Sequence, residues 1–301
     1  MSGSEISSLS KARVAKDAVE LIMNVLFFLC GIVSVLCVAA ITIYMLISGV
    51  PAIGKIGLFD FLFGTQWAPT AEDPKFGILP MILTSIAGTS GAIFIGVPLG
   101  VLTAVFICYL APKKLEKILV AAVELLAGIP SVIFGLVGMI VLSPFIANLF
   151  HLPSGATLLT SILVLSVMIL PTIVSVTVTS LRAVPPEYYE GSLALGATPV
   201  TSIFKMNIRA ARSGIVTGIV LGVGRAIGET MAIIMVSGNV PNLPNLFKSV
   251  RFLTTGIVSE MSYAADLHRQ SLFSIGLVLF VFIFFINLLL NRILKKGAKA
   301  R

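Results

Sequence analysis

Two ionisable side chains, Arg225 and Glu229, stand inside an otherwise apolar stretch of this sequence, at residues 212–237. Arg225 comes 13 residues after Arg212, which is about 20 Å along a helix and therefore close to the centre of a bilayer. A central arginine costs about 2.5–3.5 kcal/mol to insert, so it must face protein or water and have a partner. Its planar guanidinium binds tetrahedral oxyanions well. We therefore predict an anion path at Arg225, Glu229 and Thr230.

The carboxylate of Glu229 restricts which anion fits. Beside an anion it repels, unless it orients Arg225 or accepts a proton from the substrate. Hydrogen phosphate carries a P–OH donor at neutral pH and sulfate does not, so a carboxylate acceptor favours phosphate and rejects sulfate. A structural alternative stays open. The two residues are one helical turn apart, and a buried Arg225–Glu229 pair could simply lock helices together.

Composition places these residues in a membrane protein. The chain has 301 residues, 57% hydrophobic and only 11% charged, whereas soluble domains carry about 25% charged residues. A spanning helix needs about 20 predominantly apolar residues. We therefore predict an all-α, multi-pass fold with six transmembrane helices, at residues 21–48, 78–110, 119–143, 157–181, 212–237 and 271–292.

The basic residues predict the orientation of these helices. Fifteen lysines and arginines fall in the tails and in the loops at 111–118 and 182–212, against five in the opposite loops. The positive-inside rule then places both termini and residues 182–212 in the cytoplasm, in a bacterial inner membrane. The net charge of +8 is explained by this topology, so we predict contact with membrane lipid and none with nucleic acid.

Two further patterns concern helix packing. In the third stretch, Pro130 and Ser131 follow Glu124 and predict a bent helix that lines a cavity. In the fifth, small residues recur at Gly214, Gly218 and Gly222, a spacing that lets helices approach closely in lipid. Packing within one subunit and a seam between two subunits are equally compatible with that spacing.

Several chemistries are excluded by the sequence. Residues 49–56, GVPAIGKI, nearly match a phosphate-binding loop, but Ile56 replaces the required Ser or Thr and no strand precedes it. His151 and His268 fall in exterior loops, where lone histidines are usually surface residues. The three cysteines lack metal-ligand spacing and are expected to be buried thiols. We predict no catalytic residues and no metal site.

The polar interruption at residues 185–208, PPEYYEGSLALGATPVTSIFKMNI, predicts two short helices joined at a glycine. Prolines suit the start of the first helix, and Gly196 offers a left-handed stop at its end. Thr198 can cap the second helix, with Pro199 at its first position. Val200, Ile203 and Phe204 form one apolar stripe on that helix. A folded, amphipathic elbow between two spans indicates a docking surface.

The elbow resembles the EAA loop of bacterial ABC-importer permeases, through Glu190, Gly191, Ser192 and Gly196. The apolar pair expected after the glycine is kept at Met206 and Ile208, while the family's proline is replaced by Arg209. ELLAGIPSVIFGL from Glu124 and GRAIGETMAI at 224–233 make the chain similar to the PstC-type permeases of phosphate importers.

That resemblance implies a MetI-like fold and a set of partners. They are a PstA-type permease, two PstB-type ATPases that bind ATP and magnesium, and an exterior PstS-type phosphate-binding protein; the chain itself would bind no cofactor. It also implies a tail, first helix and exterior loop at 1–76, a permease core at 77–294 and a basic tail at 295–301. The implied ATPase-coupling residues are Glu187, Tyr189, Glu190, Gly191, Ser192, Leu195, Gly196, Ala197, Thr198, Ile203 and Phe204.

Other functions remain open from the sequence. A permease for sulfate, molybdate or phosphonate would share the same elbow and the same need for a guanidinium. An ion-coupled secondary carrier could use Arg225 and Glu229 as a relay, but it would leave the elbow without a purpose. A purely structural subunit would need only the Arg225–Glu229 lock.

Overall fold

The computed structural model describes the backbone of residues 3–299 and the side chains of residues 20–288 and Arg292; the basic side chains predicted to orient the two tails lie largely outside this description. Within it the chain is helical apart from one short hairpin and the loops. The first half contains α1 (Gly3–Ile56), α2 (Leu58–Phe63), β1 (Trp67–Ala68), β2 (Lys75–Phe76), α3 (Leu79–Val105), α4 (Lys113–Gly128), α5 (Ser131–Val137), α6 (Ser143–Leu149) and α7 (Leu158–Arg182).

The second half contains the elbow and the last spans. Its helices are α8 (Pro186–Ala194), α9 (Pro199–Ser202), α10 (Ile208–Ala210), α11 (Arg212–Gly228), α12 (Met231–Val236), α13 (Leu253–Glu260) and α14 (Asp266–Lys299). Three π-helical segments, Phe106–Leu110, Gly138–Leu142 and Ile203–Asn207, extend α3 or join neighbouring helices.

Helix α7 is the centre of the bundle. Its side chains dominate a core of buried apolar residues that also takes in α3, α11 and α12. Its sequence is apolar on most faces, which is typical of a helix surrounded by other helices rather than by lipid on one side. A second cluster lies at the elbow end, around Val105, Leu181 and Ile203. A third lies at the opposite end, called here the far end, around Phe61, Trp67 and Leu253.

Glycines on two helices let the backbones approach α7. A Cβ on Gly218 would lie 3.1 Å from the Cβ of Val176, and one on Gly222 would lie 3.0 Å from Cγ1 of Ile173. On α3, a Cβ on Gly96 would come within 2.8 Å of Ile169. The stripe at Gly214, Gly218 and Gly222 therefore packs inside this subunit, which decides the alternative that the sequence left open.

Among the described residues, five helices are long and apolar enough to cross a membrane, and the bent pair at 199–228 would make a sixth. The predicted first span falls within Glu20–Ile56, and the predicted second, fourth and sixth spans overlap Leu79–Leu110, Leu158–Arg182 and Asp266–Leu288. The prediction of multi-pass helical architecture is confirmed. Two of the predicted spans, however, are interrupted.

The third span, predicted as a bent helix at 119–143, is divided into two separate helices at Ile129 and Pro130. The chain is extended at Ile129, with φ −71° and ψ 127°, because the ring of Pro130 disfavours a helical conformation in the residue before it. The spanning helix is Ser131–Leu149. Helix α4 is a separate, amphipathic segment whose side chains are mostly exposed.

The fifth span is also broken. Helix α11 ends at Gly228, and Glu229 takes an extended backbone with φ −70° and ψ 130°. A new short helix, α12, begins at Met231. The prediction of one helix over 212–237 was wrong because side chains and a neighbouring helix bond the backbone at this point, as described below.

Candidate substrate path and coupling elbow

Arg225 lies in the last turn of α11, half-buried against α7. Its Nη1 donates a hydrogen bond to Oγ1 of Thr172, at 3.4 Å. Among the described residues, no carboxylate comes within ion-pair distance of its guanidinium. The arginine is therefore a cation in the spanning region that the described part of the chain does not neutralise.

Glu229 does not pair with Arg225. It sits in the break after α11, where its Oε1 accepts a hydrogen bond from the backbone N–H of Ala232 at 2.9 Å. A carboxylate at the start of a helix satisfies a free N–H and opposes the helix dipole. The structural alternative of an Arg225–Glu229 lock is thus wrong, because one carboxylate oxygen caps α12 and the carboxylate forms no ion pair with Arg225.

The side chain of Thr230 bonds to the end of the preceding helix. Its Oγ1 donates to the carbonyl of Gly228 at 3.3 Å, so this bond bridges the break between α11 and α12. The predicted residues Arg225, Glu229 and Thr230 all lie at the junction of α11 and α12, and their side chains bond to Thr172, to Ala232 and to Gly228 respectively. These residues therefore lie at a break between two helices and not on one face of a continuous helix.

Two threonines that the sequence did not single out complete this junction. Thr172 contacts Arg225 from α7, immediately after the helix-internal Pro171. Thr254, on α13, donates its hydroxyl to the carbonyl oxygen of Glu229 at 3.0 Å. Both contacts join residues far apart in sequence, and threonine is too common in apolar helices for either position to be recognised from its type.

The three residues predicted in the third span lie apart from Arg225. Glu124 is exposed on α4, and no hydrogen bond or ion pair joins it to the described residues of the junction. Pro130 and Ser131 start α5, which packs on α12; a Cβ on Gly135 would lie 2.7 Å from the Cα of Ala232. The bend at Pro130 thus positions a helix beside the junction, while Glu124 remains on an open surface.

The elbow has the local structure that its sequence predicts. Pro186 is at the first turn of α8, and Gly196 has a left-handed φ of 87°. The N–H of Ala197 reaches back to the carbonyl of Ser192 at 3.1 Å and closes the helix end. Thr198 caps α9 by accepting from the N–H of Thr201 at 3.3 Å.

Side-chain contacts hold the two halves of the elbow together. The hydroxyls of Ser192 and Ser202 lie 2.9 Å apart. Tyr189 stacks on Tyr109 with ring centroids 6.1 Å apart, and the Tyr109 hydroxyl accepts from Nδ2 of Asn207 at 2.8 Å. The elbow is therefore a folded unit attached to the end of α3.

The apolar stripe predicted on the second elbow helix is divided. Ile203 is buried in the core of the elbow end, whereas Val200 and Phe204 are exposed. The reason is that the buried side of this helix is centred on Ser202 and Ile203, so Val200 and Phe204 lie on either side of it. Ile203 therefore anchors the elbow and is not available at its surface.

The exposed face of the elbow contains a shallow groove of about 550 Å³. Leu195, at 91% relative exposure, is one of its lining residues. Of the other predicted coupling residues, Glu187, Gly191, Ser192 and Ala197 also line it, together with Tyr188 and Met206. Glu190 is exposed nearby.

At the far end the structure contains a polar cluster that the sequence interpretation missed. His268 is not a surface loop residue: it lies on α14, buried, with Nε2 2.8 Å from Oε2 of Glu260. The same oxygen accepts from Nε1 of Trp67 at 2.9 Å. Arg251 pairs with the other oxygen of Glu260 and donates from Nε to the carbonyl of Asn239 at 2.8 Å. We call Trp67, Arg251, Glu260 and His268 the far-end cluster.

The cysteines also differ from expectation. Cys30 and Cys37 are exposed on α1 and Cys108 is half-buried, and all three are free thiols. They are exposed because α1 contacts the rest of the chain mainly along α14, leaving most of its surface free.

Residues 96–299 match the family of binding-protein-dependent transport system inner membrane components. A probable ABC transporter permease protein of Bacillus subtilis is 39% identical, over 87% of this chain and 86% of the relative. The phosphate transport system permease proteins PstC of Mesorhizobium japonicum and Haemophilus influenzae are 37% and 36% identical, over 82% and 81% of this chain and 84% and 82% of their own lengths.

Solved structures share the fold. A chain of the inward-facing MetNI methionine ABC transporter aligns with a TM-score of 0.61 and 19% identity, covering 73% of this chain and 95% of its own. A chain of a bacterial alginate ABC transporter aligns with a TM-score of 0.57 and 19% identity, covering 81% and 86%. The predicted MetI-like, all-α permease fold is confirmed.

Proposed function

Because this chain belongs to the family of binding-protein-dependent transport system inner membrane components, and is a permease rather than an enzyme, we propose that it forms part of the translocation path of an ATP-driven importer for inorganic phosphate. The resemblance to PstC proteins supports phosphate as the substrate. The more similar Bacillus relative bears only a general permease name, so the choice of anion rests on the chemistry of the junction.

The observation that carries the proposal is the guanidinium of Arg225. It lies in a spanning helix with a threonine hydroxyl as its hydrogen-bond partner and no carboxylate within reach in the described part of the chain. A cation in this position is costly unless an anion or water compensates it. A phosphate oxyanion supplies that charge, and a guanidinium binds it through two parallel hydrogen bonds.

Glu229 sets the protonation state of the substrate in this proposal. One of its oxygens caps α12, which leaves the other to accept the P–OH proton of hydrogen phosphate. Sulfate has no such proton, and its binding would leave two negative groups in contact.

Substitution of Glu229 by Gln keeps an oxygen for the Ala232 N–H and removes the charge. We expect Glu229→Gln to weaken phosphate uptake and to increase inhibition by sulfate; unaltered uptake and inhibition would contradict this role.

The elbow is the proposed contact with the ATPase. Its exposed Leu195 and its groove offer the apolar surface expected of a docking element, and burial of such a surface stabilises association. Two PstB-type ATPases would bind ATP and magnesium, a PstA-type permease would complete the path, and a PstS-type protein would deliver phosphate on the exterior. Both termini and the elbow are then cytoplasmic in an inner membrane, as the basic loops predict.

The deciding experiment is ATP-dependent phosphate uptake into proteoliposomes that hold the full complex. Arg225→Gln should reduce uptake about tenfold to a hundredfold, because it removes a charge-assisted hydrogen bond worth about 1.5–3 kcal/mol. Arg269→Gln is the control, since Arg269 is exposed at the far end. Co-purification of the ATPase should be equal in the wild type and both variants. Full uptake in Arg225→Gln would contradict the anion path.

The same vesicles separate the remaining alternatives. Another oxyanion is the substrate if sulfate, molybdate or phosphonate is taken up and phosphate is not. An ion-coupled carrier would transport without ATP in the absence of the ATPase, and disruption of the elbow would leave its rate unchanged. The groove around Leu195 favours the ATP-driven importer, because a carrier has no use for it.

A further inference from the structure

We propose that α13 is a strut that links the far-end cluster to the substrate junction, and that Thr254 is the positioning residue through which it acts on Glu229. The inference rests on the proposed function for its role in transport. Its structural part, a dependence of the junction on α13, can be tested without any substrate.

The first end of α13 is attached at the junction. The hydroxyl of Thr254 donates to the backbone carbonyl of Glu229 at 3.0 Å, which is the residue where α11 and α12 separate. One residue earlier, the N–H of Leu253 donates to Oγ of Ser85 on α3 at 3.0 Å. The ring of Phe252 lies so close to α3 that a Cβ on Gly88 would come within 2.4 Å of it.

The second end of α13 is attached in the far-end cluster. Glu260, the last residue of the helix, is 5% exposed and holds partners from three other segments. They are Trp67 from β1, Arg251 from the loop before α13, and His268 from α14. A buried carboxylate is retained only when such partners compensate it, so the end of α13 moves with the segments that supply them.

These two attachments make a short connection across the outer part of the bundle. Helix α13 has 8 residues and therefore spans about 12 Å. A single helical segment of this length transmits displacement without needing a chain of rearranged side chains. Since the far-end segments form the surface opposite the elbow, a protein that docks there would shift Glu260, and Thr254 would carry the shift to Glu229. This coupling requires that changes at Glu260 and at Thr254 both shift the conformation of the junction between α11 and α12.

The chain offers a reporter and a matched control for the junction. Gly228 is the last residue of α11, and Gly224 lies one turn earlier; a Cβ at either position meets no atom within 4 Å. Each would be changed to Cys in an otherwise functional complex in which Cys30, Cys37 and Cys108 are replaced by Ala. The rate of labelling by N-ethylmaleimide is then measured without phosphate.

Thr254→Val keeps the shape of the side chain and removes the hydroxyl, while Thr254→Ser keeps the hydroxyl. We expect Thr254→Val to change the labelling rate of Gly228→Cys about threefold to tenfold, the range of one lost hydrogen bond. Thr254→Ser should restore the rate, and Gly224→Cys should label equally in all backgrounds. Equal changes at both reporters, or none at Gly228→Cys, would overturn the proposal.

Glu260→Gln tests the other end of the strut, with Asp73→Asn as the control because Asp73 forms an exposed pair with Lys75. Its effect on Gly228→Cys should be non-additive with that of Thr254→Val; additive effects would overturn the link. If Glu260→Gln does not fold, Trp67→Phe removes one donor to Oε2 of Glu260.

In transport, Thr254→Val should lower the amount of phosphate imported per ATP hydrolysed. Absence of phosphate uptake in the wild type would refute the proposed function. The labelling rates would still test whether the junction depends on α13, because they are measured without phosphate.

Discussion

The elbow and the far end are built by opposite means. The turn and cap of the elbow, residues 185–208, are formed by neighbours in sequence: Gly196 ends one helix, and Thr198 caps the next through the N–H of Thr201. Contacts with Tyr109 then attach the elbow to the end of α3. The far end is held by contacts between distant residues, such as Trp67 with Glu260, which are 193 positions apart. The local turns of the elbow can therefore form within a short segment, whereas the far-end cluster requires the whole bundle.

Their electrostatics differ in the same way. At the elbow end, Arg182 and Glu116 form a pair 2.5 Å apart whose side chains are 50% and 31% exposed. At the far end, the side chains of Arg251 and Glu260 are 14% and 6% exposed. Water can replace the partners of the first pair but not those of the second. The pair beside the elbow can therefore be broken at little cost, whereas the far-end pair fixes the geometry of its cluster.

The largest effect expected from this comparison concerns the two ion pairs. Glu260→Gln should lower the free energy of unfolding by about 3–5 kcal/mol, because it leaves Arg251 buried without its counter-charge. Glu116→Gln should lower it by only about 0–1 kcal/mol, because its pair is solvated. Both would be measured by denaturant titration in detergent micelles. Equal losses would show that burial does not distinguish the two ends.

A second test makes one substitution in both regions. Gly88→Ala should destabilise the fold by about 1–3 kcal/mol, because the new methyl meets the buried ring of Phe252. Gly191→Ala in α8 should instead stabilise its helix by about 0.5–1 kcal/mol, since nothing lies within 4 Å of the added atom. The same denaturant titration gives the first value, and hydrogen exchange of the α8 amides gives the second. A stabilised Gly88→Ala protein would mean that Phe252 can move freely.

The difference between the two regions also determines what could be predicted from the sequence. The Thr198 cap, the Gly196 stop and four of the six apolar spans are local patterns, and the structure confirms them. The buried position of His268 could not be predicted, because its type and neighbours are those of a surface loop and only the packing of α13 and β1 covers it. The sequence did contain one indication of a buried pair. Glu260 lies eight positions before His268, and a long apolar stretch follows the histidine.

The substrate junction lies between these extremes. The unusual charge of Arg225 could be recognised from the sequence, since an arginine in an apolar stretch is retained only where a charged or polar partner offsets the cost of inserting it. The break at Glu229 could not, because the sequence is equally compatible with a continuous helix. Two bonds hold the break: a cap from Glu229 to the N–H of Ala232, and the hydroxyl of Thr254 on α13. The second bond forms only when the helices pack.

A third prediction concerns the backbone of the elbow. Gly196 has φ 87°, a conformation that costs an L-residue about 1–2 kcal/mol. Gly196→Ala should therefore loosen the join between α8 and α9 and increase hydrogen exchange of the amides at 193–198. The far-end amides of α13 should exchange at the wild-type rate. An increase at both ends would contradict the independence of the two regions.

The smallest effect is expected at the cap of α9. Thr198→Ala removes the oxygen that accepts from the N–H of Thr201, at a cost of about 1 kcal/mol, while Thr198→Ser retains it. Because the cap acts only on a few exposed residues, its loss should appear as local opening of α9 and weaker binding of the ATPase to the complex, with no change in denaturant midpoint. Binding of the purified ATPase to wild type, Thr198→Ser and Thr198→Ala measures this. If Thr198→Ala lowered the denaturant midpoint as Glu260→Gln does, the elbow would be part of the global folding unit and could not serve as an independently formed contact.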